Sequence, residues 1–168
     1  SGRTKEALTL AKKLKAEGHR ELFSLSANED TPIEKECVSG SVLKCGWEEA
    51  VAATKSVVEQ GLYCDSIIWA LAGRDFKSSL DGLSEKIREA LTMQIDPQIV
   101  EWVKGAHTVY FSGLNDGVAE ELTLKTNEIT RRKSDYLEGT YAVHGIEEVM
   151  QSGDVVFVVD PIESEYDK

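Results

Sequence analysis

Helix-period and strand-period segments alternate along this chain, and that order constrains the fold more than any single motif does. Ala7, Leu8, Leu10, Ala11 and Leu14 recur at helical spacing, and Gly18 stands where the helix should stop. Residues 20–26, RELFSLS, read as a strand. Thr31 and Pro32 have the form of an N-cap and a first-turn proline, opening a short helix over 33–38. Residues 41–45, SVLKC, predict a second strand, broken by Gly46. From Trp47 to about Gly73, apolar residues such as Val51, Val57, Leu62, Ile67 and Leu71 fall all round the helical wheel. That pattern predicts a long and largely buried helix, with interior Gly61 as its weak point.

The pattern then changes. Residues 74–105 predict two amphipathic, charge-rich helices, the second opened by Pro97, and serve as a connector. Beyond it come a strand and glycine turn at 107–113, a helix from Gly117 to about Arg132, an irregular stretch over 133–145 and an apolar strand at 154–160. Strands separated by helices predict an α/β fold with parallel pairing. The expected division is residues 1–75, a connector over 76–105, and residues 106–168.

Bulk properties exclude several function classes. A net charge of −11 opposes non-specific nucleic-acid binding, which needs an excess of Lys and Arg to displace counterions. A local basic pocket for a small anion is still compatible with it. No signal-peptide pattern and no apolar run approaching about 18 residues is present, which predicts a soluble cytoplasmic protein without a membrane partner. Cys37, Cys45 and Cys64 are odd in number, lack CxxC spacing and sit among core-like residues, so they read as reduced structural thiols.

The first four residues, SGRT, stand at the start of the first helix. Free N–H groups and the macrodipole favour an anion at such a position, Gly2 permits close approach, and Ser1 and Thr4 add hydroxyl donors. A Ser or Thr ahead of a helix is equally a plain N-cap, and the loop alone leaves both readings open.

SGRT followed about forty residues later by GWEEAVAATKS resembles the sugar isomerase (SIS) domain family, in which a Ser-Gly-x-Thr loop grips the sugar phosphate. The nearest likeness is to its tandem members, such as the isomerase half of glucosamine–fructose-6-phosphate synthase and related ketose/aldose isomerases. In the second half, FSGLNDGVAEELTLKTNEIT resembles the family's glycine loop and Ala-Leu-Glu-x-x-x-Lys-x-x-Glu helix. EGTYAVHGIEEV resembles its histidine loop. The resemblance implies two SIS domains, each a parallel-sheet three-layer sandwich and each incomplete here, so that the chain is expected to be the middle of a longer protein. It implies a homodimer and a small anionic sugar as partners, and no metal or redox cofactor.

Carried over position by position, the resemblance puts Ser1, Gly2, Arg3, Thr4, Ala52, Ala53, Gly113 and Glu121 against the substrate. Glu128 falls on the general base, His144 on the ring-opening histidine and Lys125 on the lysine between the two glutamates. The implied reaction is aldose–ketose isomerisation of an anionic sugar, most simply a sugar phosphate, by proton transfer through a cis-enediol. A carboxylate partly desolvated in a cleft suits the proton transfer, a histidine suits ring opening near neutral pH, and Lys125 could stabilise the enediolate.

Each residue also has a plainer reading. Glu121 and Lys125 at i, i+4 form an ordinary surface pair, and His144 could be a helix-end cation. His19 and His107 are structural, Arg131 to Ser134 a solvated helix end or an anion clamp, and Trp47 and Trp69 core or interface aromatics. The sequence departs from the family pattern at Arg3, Ala53, Thr140, Tyr141 and Ile146, which implies an altered pocket. The alternatives to an isomerase are an amino-sugar-phosphate deaminase or deglycase, or a non-catalytic module that senses sugar phosphates.

Overall fold

The computed structural model describes residues 1–113, 117–138 and 145–161. They fall into two compact units, residues 1–88 and 89–168, with the division inside the stretch expected as a connector.

In the first unit, α1 spans Lys5–Ala16 with Glu6 in its first turn and Lys13 and Lys15 in its last, charges that suit the helix dipole. Gly18 ends it at φ 95, a left-handed conformation that a side chain resists. Strands β1 (Phe23–Ser26) and β2 (Ser39–Val42) pair in parallel, Phe23 opposite Ser39 and Ser26 opposite Val42. Both are shorter than the sequence predicts. The helix expected after Pro32 contracts to a 3-10 turn, Glu34–Glu36, whose Glu36 meets Lys15 of α1 at 3.3 Å.

Two expectations fail at the next helix. α2 spans Lys55–Leu71 rather than starting at Trp47, because residues 47–54 form an irregular loop. Nor is it largely buried: Ser56 is its one buried residue, and Val58, Ile67, Ile68 and Leu71 are exposed. A helix apolar on all sides needs cover on all sides. Here Tyr63 reaches Ser41 and Trp69 packs edge-on against Phe76, which covers only part of it. Trp47 is exposed, and so is Cys64, against the expectation of a core thiol, whereas Cys37 and Cys45 are half-buried; all three are free. A 3-10 turn, Phe76–Leu80, leads to α3 (Leu83–Thr92), which runs across the division.

In the second unit, α4 (Pro97–Gly105) begins as the sequence predicts, with Pro97 in its first turn and the Asp96 carboxylate accepting from Gln98 N–H at 2.8 Å. Strands β3 (Val109–Gly113), β4 (Ser134–Glu138) and β5 (Val155–Val159) form a parallel sheet in the order β4-β3-β5. β4 occupies part of the stretch read as irregular. Asp154 joins the strand starts, its carboxylate accepting from Thr108 and Gln151 N–H at 3.0 and 2.8 Å.

The core of this unit is Ala106, Val109, Phe111 and Ala119, with Val103, Tyr136 and Phe157 packed against it. Phe111 lies opposite Phe157 in register, and their rings stack with centroids 5.4 Å apart. On the other face Tyr110, Ser112 and Leu137 are also buried, so β3 is covered on both sides, as the middle strand of a layered parallel sheet should be. α5 (Val118–Lys125) crosses this sheet close to β3. A side chain at Gly113 would place its Cβ 3.0 Å from the Cβ of Ala119, so Gly113 permits that approach. After Lys125 the helix does not continue to Arg132 as an α-helix. Thr126–Thr130 form a π-turn, and Arg131 ends it in the left-handed region at φ 57.

Candidate functional site

In the first unit Ala52 and Ala53 lie on the loop that follows the C-terminal end of β2, and residues 1–4 are fastened to the segment that follows β1; ligands of open α/β sheets are bound at such strand ends. The Asn28 amide donates to the Ser1 carbonyl at 3.5 Å, and Ile33 N–H to that of Gly2 at 3.3 Å. Gly2 has φ +66, and a Cβ there would fall 2.5 Å from that of Thr31, which is fully buried beneath it. The glycine is thus required by conformation and by contact together. Thr4 occupies the N-cap position of α1, but its hydroxyl makes no capping bond. Ser1, Arg3 and Thr4 are exposed.

Ala52 and Ala53, both half-buried, lie on the loop between β2 and α2. Two carboxylates hold this loop; Glu48 lies in the GWEEAVAATKS stretch without an assigned role, and Glu59 does not stand out in the sequence. Glu48 accepts from the N–H groups of Thr54, Lys55 and Ser56 at 2.9, 2.9 and 3.3 Å, and from the hydroxyls of Thr54 and Ser56. It therefore supplies the α2 N-cap from six residues upstream. The Ser56 hydroxyl, then the Thr54 N–H, hold its carboxyl far below the usual range, at about 2, against a desolvation effect that raises it. Glu59, from within α2, accepts from the N–H groups of Lys44 and Cys45, both at 2.7 Å, and its carboxyl is lowered chiefly by the Lys44 bond. Burial and then the Glu59 carboxylate push the Cys45 thiol up, which leaves it protonated and a poor nucleophile.

In the second unit Glu121, Lys125 and Glu128 come together. Lys125 Nζ lies 2.6 Å from Glu128 Oε2 and 3.3 Å from Glu121 Oε1. The lysine is the most enclosed of the three, its side chain 17% exposed against 35% and 36% for the glutamates. Its pKa is raised, first by the hydrogen bond to Glu128, against desolvation that lowers it, and then by Glu121. Lys125 is accordingly an ammonium at any physiological pH. It can balance charge but is not a proton acceptor there.

Not every candidate joins this cluster. Gly113 is buried at the end of β3, where α5 begins, while Lys125 is at the opposite end of that helix, about 12 Å along its axis by the rise per residue. His144, Thr140 and Tyr141 lie outside the described residues. Arg132 does not face outward as a free cation, since its guanidinium donates to the Ala106 carbonyl at 3.3 Å. A groove of about 470 Å³ beside α5 is lined by Glu120, Glu121, Asn127 and Asp135, among others, with no cation among the described residues of its lining. Among the described residues, no cluster of three or more His, Cys, Asp and Glu could hold a metal, and no helix is long and apolar enough to cross a membrane.

No family model matches the sequence, and no curated protein matches it either. Solved structures do match its fold. The C-terminal domain of glucosamine-fructose-6-phosphate aminotransferase from Francisella tularensis superposes with a TM-score of 0.82 at 20% identity, over 99% of this chain and 50% of that one. A candidate phosphosugar isomerase from Clostridium difficile 630 gives 0.68 at 18% identity, over 91% and 47%. A candidate sugar-binding protein from Salmonella typhimurium gives 0.68 at 17% identity, over 96% and 52%. The chain spans about half the length of each. Its fold is therefore the sugar isomerase domain fold that the motifs of its sequence resemble.

Proposed function

We propose that this chain belongs to an aldose–ketose isomerase acting on an anionic sugar, with Glu128 as the base. The observation that carries the reading is the Glu121–Lys125–Glu128 cluster, in which an enclosed ammonium stands 2.6 Å from an accessible carboxylate. In the proposed reaction, Glu128 takes the proton from C2 of the open-chain aldose, leaving a cis-enediolate; the O2 hydroxyl proton passes to O1, and the same carboxyl returns its proton to C1 to give the ketose. Lys125, held as an ammonium, stabilises the negative oxygen in between. For this the Lys125–Glu128 bond must yield, and the ammonium shift toward the substrate oxygen. His144 is assigned to ring opening on the strength of its sequence context alone.

Anion binding is assigned to Ser1, Gly2, Arg3 and Thr4, supported by the hydroxyl of Thr4 that no cap uses. The acidic groove beside α5 suits sugar hydroxyls and not a phosphate. The homodimer and the cytoplasmic location belong to the same reading, and the apolar residues exposed on α2 support the dimer. Exchange of solvent deuterium into C2 of a phosphosugar, followed by NMR with the full-length protein and its Glu128→Gln variant, tests the chemistry. Exchange in the wild type and none in the variant is expected; equal exchange in both would overturn the base assignment. Release of ammonia from an amino-sugar phosphate would instead favour the deaminase.

A further inference from the structure

The base proposed above stands on a segment that a helix would not adopt unaided. A π-turn is rare, and a non-glycine residue in the left-handed region, as Arg131 is, adds a further cost of about 1–2 kcal/mol. Something outside the turn must hold it. Thr130 ties it internally, its hydroxyl donating to the Thr126 carbonyl at 2.7 Å and accepting from Arg132 N–H at 3.2 Å. Just beyond the turn, the Arg132 guanidinium donates to the Ala106 carbonyl at 3.3 Å, and from within the turn the external tie is Asn127. Its carboxamide NH2 donates to the Ser134 carbonyl at 3.2 Å, and its oxygen accepts from the Ser134 N–H at 2.9 Å.

The geometry of β4 explains why a carboxamide is needed. Val109 N–H of β3 donates to the Lys133 carbonyl at 3.0 Å, so the next N–H and C=O, those of Ser134, point the opposite way, off the outer edge of the sheet. Satisfying both requires one donor and one acceptor side by side, which among side chains only Asn and Gln present. Asn127 thus offers Ser134 the donor and acceptor that a residue of a neighbouring strand would offer. The next residue of the chain is Glu128, whose carboxylate meets Lys125.

We propose that Asn127 is a positioning residue: by clasping both backbone groups of Ser134 it fixes the π-turn, and with it the place from which the Glu128 carboxylate works beside Lys125. That this placement serves catalysis rests on Glu128 being the base; the clasp itself does not. Two readouts on the full-length protein keep these claims apart. The first is amide hydrogen exchange of residues 126–134 in Asn127→Ala and in Asn127→Asp, which keeps the acceptor for Ser134 N–H and loses the donor. Asn127→Ala should lose protection by about tenfold, the scale of one to two net hydrogen bonds, with Asn127→Asp in between. The second readout is steady-state kinetics, where Asn127→Ala should lower kcat about tenfold and leave KM nearly unchanged.

Unchanged protection in Asn127→Ala would overturn the clasp. Lost protection with unchanged kcat, in a protein that Glu128→Gln inactivates, would overturn the positioning role. A fall in KM-side binding alone would do the same. If Glu128→Gln leaves activity intact, the base assignment fails, and the exchange data still decide whether Asn127 holds the turn.

Discussion

Around the loop ahead of α2, Glu48 and Glu59 direct their oxygens at backbone N–H groups; at the far end of α5, Glu121 and Glu128 share a single ammonium. Both are pairs of carboxylates in the candidate regions, yet their partners differ in kind. Backbone N–H groups are fixed by the chain and cannot leave, so Glu48 and Glu59 are committed to shaping the 44–56 segment. A lysine is a long side chain that can swing, and in the reaction proposed above Glu128 exchanges it for the substrate. On that proposal, the difference separates structural carboxylates from a chemical one by what they bond.

The comparison breaks most readily at Glu128. Its replacement by Gln should lower the isomerisation rate by about 10²–10⁴-fold, the usual contribution of a general base, with the thermal midpoint close to that of the wild type. Glu48→Gln should do the converse and lower the midpoint with far less effect on the rate. A kinetic loss at Glu48 as large as that at Glu128 would erase the distinction. Thermal denaturation alongside a coupled assay checks both.

Next in size is Gly2→Ala. Left-handed strain and the contact with Thr31 should together cost about 2–4 kcal/mol, seen as a lower midpoint and weaker sugar-phosphate binding. A wild-type midpoint in that variant would show that residues 1–4 are not held as described.

A smaller effect concerns pH. The Glu48 carboxyl is lowered from 4.5 to about 2 on folding, so its contribution is complete above about 4.5 and disappears as the pH falls toward 2. Acid unfolding of Glu48→Gln should be shallower over that window than that of the wild type. Lys125 gives the mirror image. Its pKa is raised above 10.5, so its contribution is intact below that value and is lost as the pH climbs through the raised one. Lys125→Met should flatten the alkaline limb.

The smallest effect is expected at Ala53, on the loop that Glu48 and Glu59 hold. Ala53→Ser adds one hydroxyl and should tighten sugar-phosphate binding about threefold if that loop faces the ligand, as calorimetry would detect.

Much of the fold was legible because strong local signals agreed with it. Gly18 ends α1 and Pro97 opens α4 where the sequence places them, and the parallel pairing follows from the alternation of elements. The errors share one physical cause, interactions between residues distant along the chain. Trp47 to Thr54 have helical periodicity, but Glu48 folds forward to cap α2 and so cannot be part of it. β4 reads as irregular because Ser134 and Asp135 lack strand propensity, and the strand exists through its pairing with β3. The Glu121–Lys125–Glu128 cluster was legible from spacing and family likeness together. Asn127 was not, since nothing in TNEIT announces that its amide will meet a residue seven positions on.

The π-turn also alters how this helix measures distance. An α-helix is an even ruler, on which a count of residues gives an angle and a length. A π-turn closes its hydrogen bonds one residue later, and so inserts an extra mark between Thr126 and Thr130. Any comparison that slides this segment along a regular helix will match Glu121, Lys125 and Glu128 and then drift by one position beyond the turn. Removing a single residue there would restore the even ruler and rotate Glu128 off the lysine, while every upstream contact stayed in place.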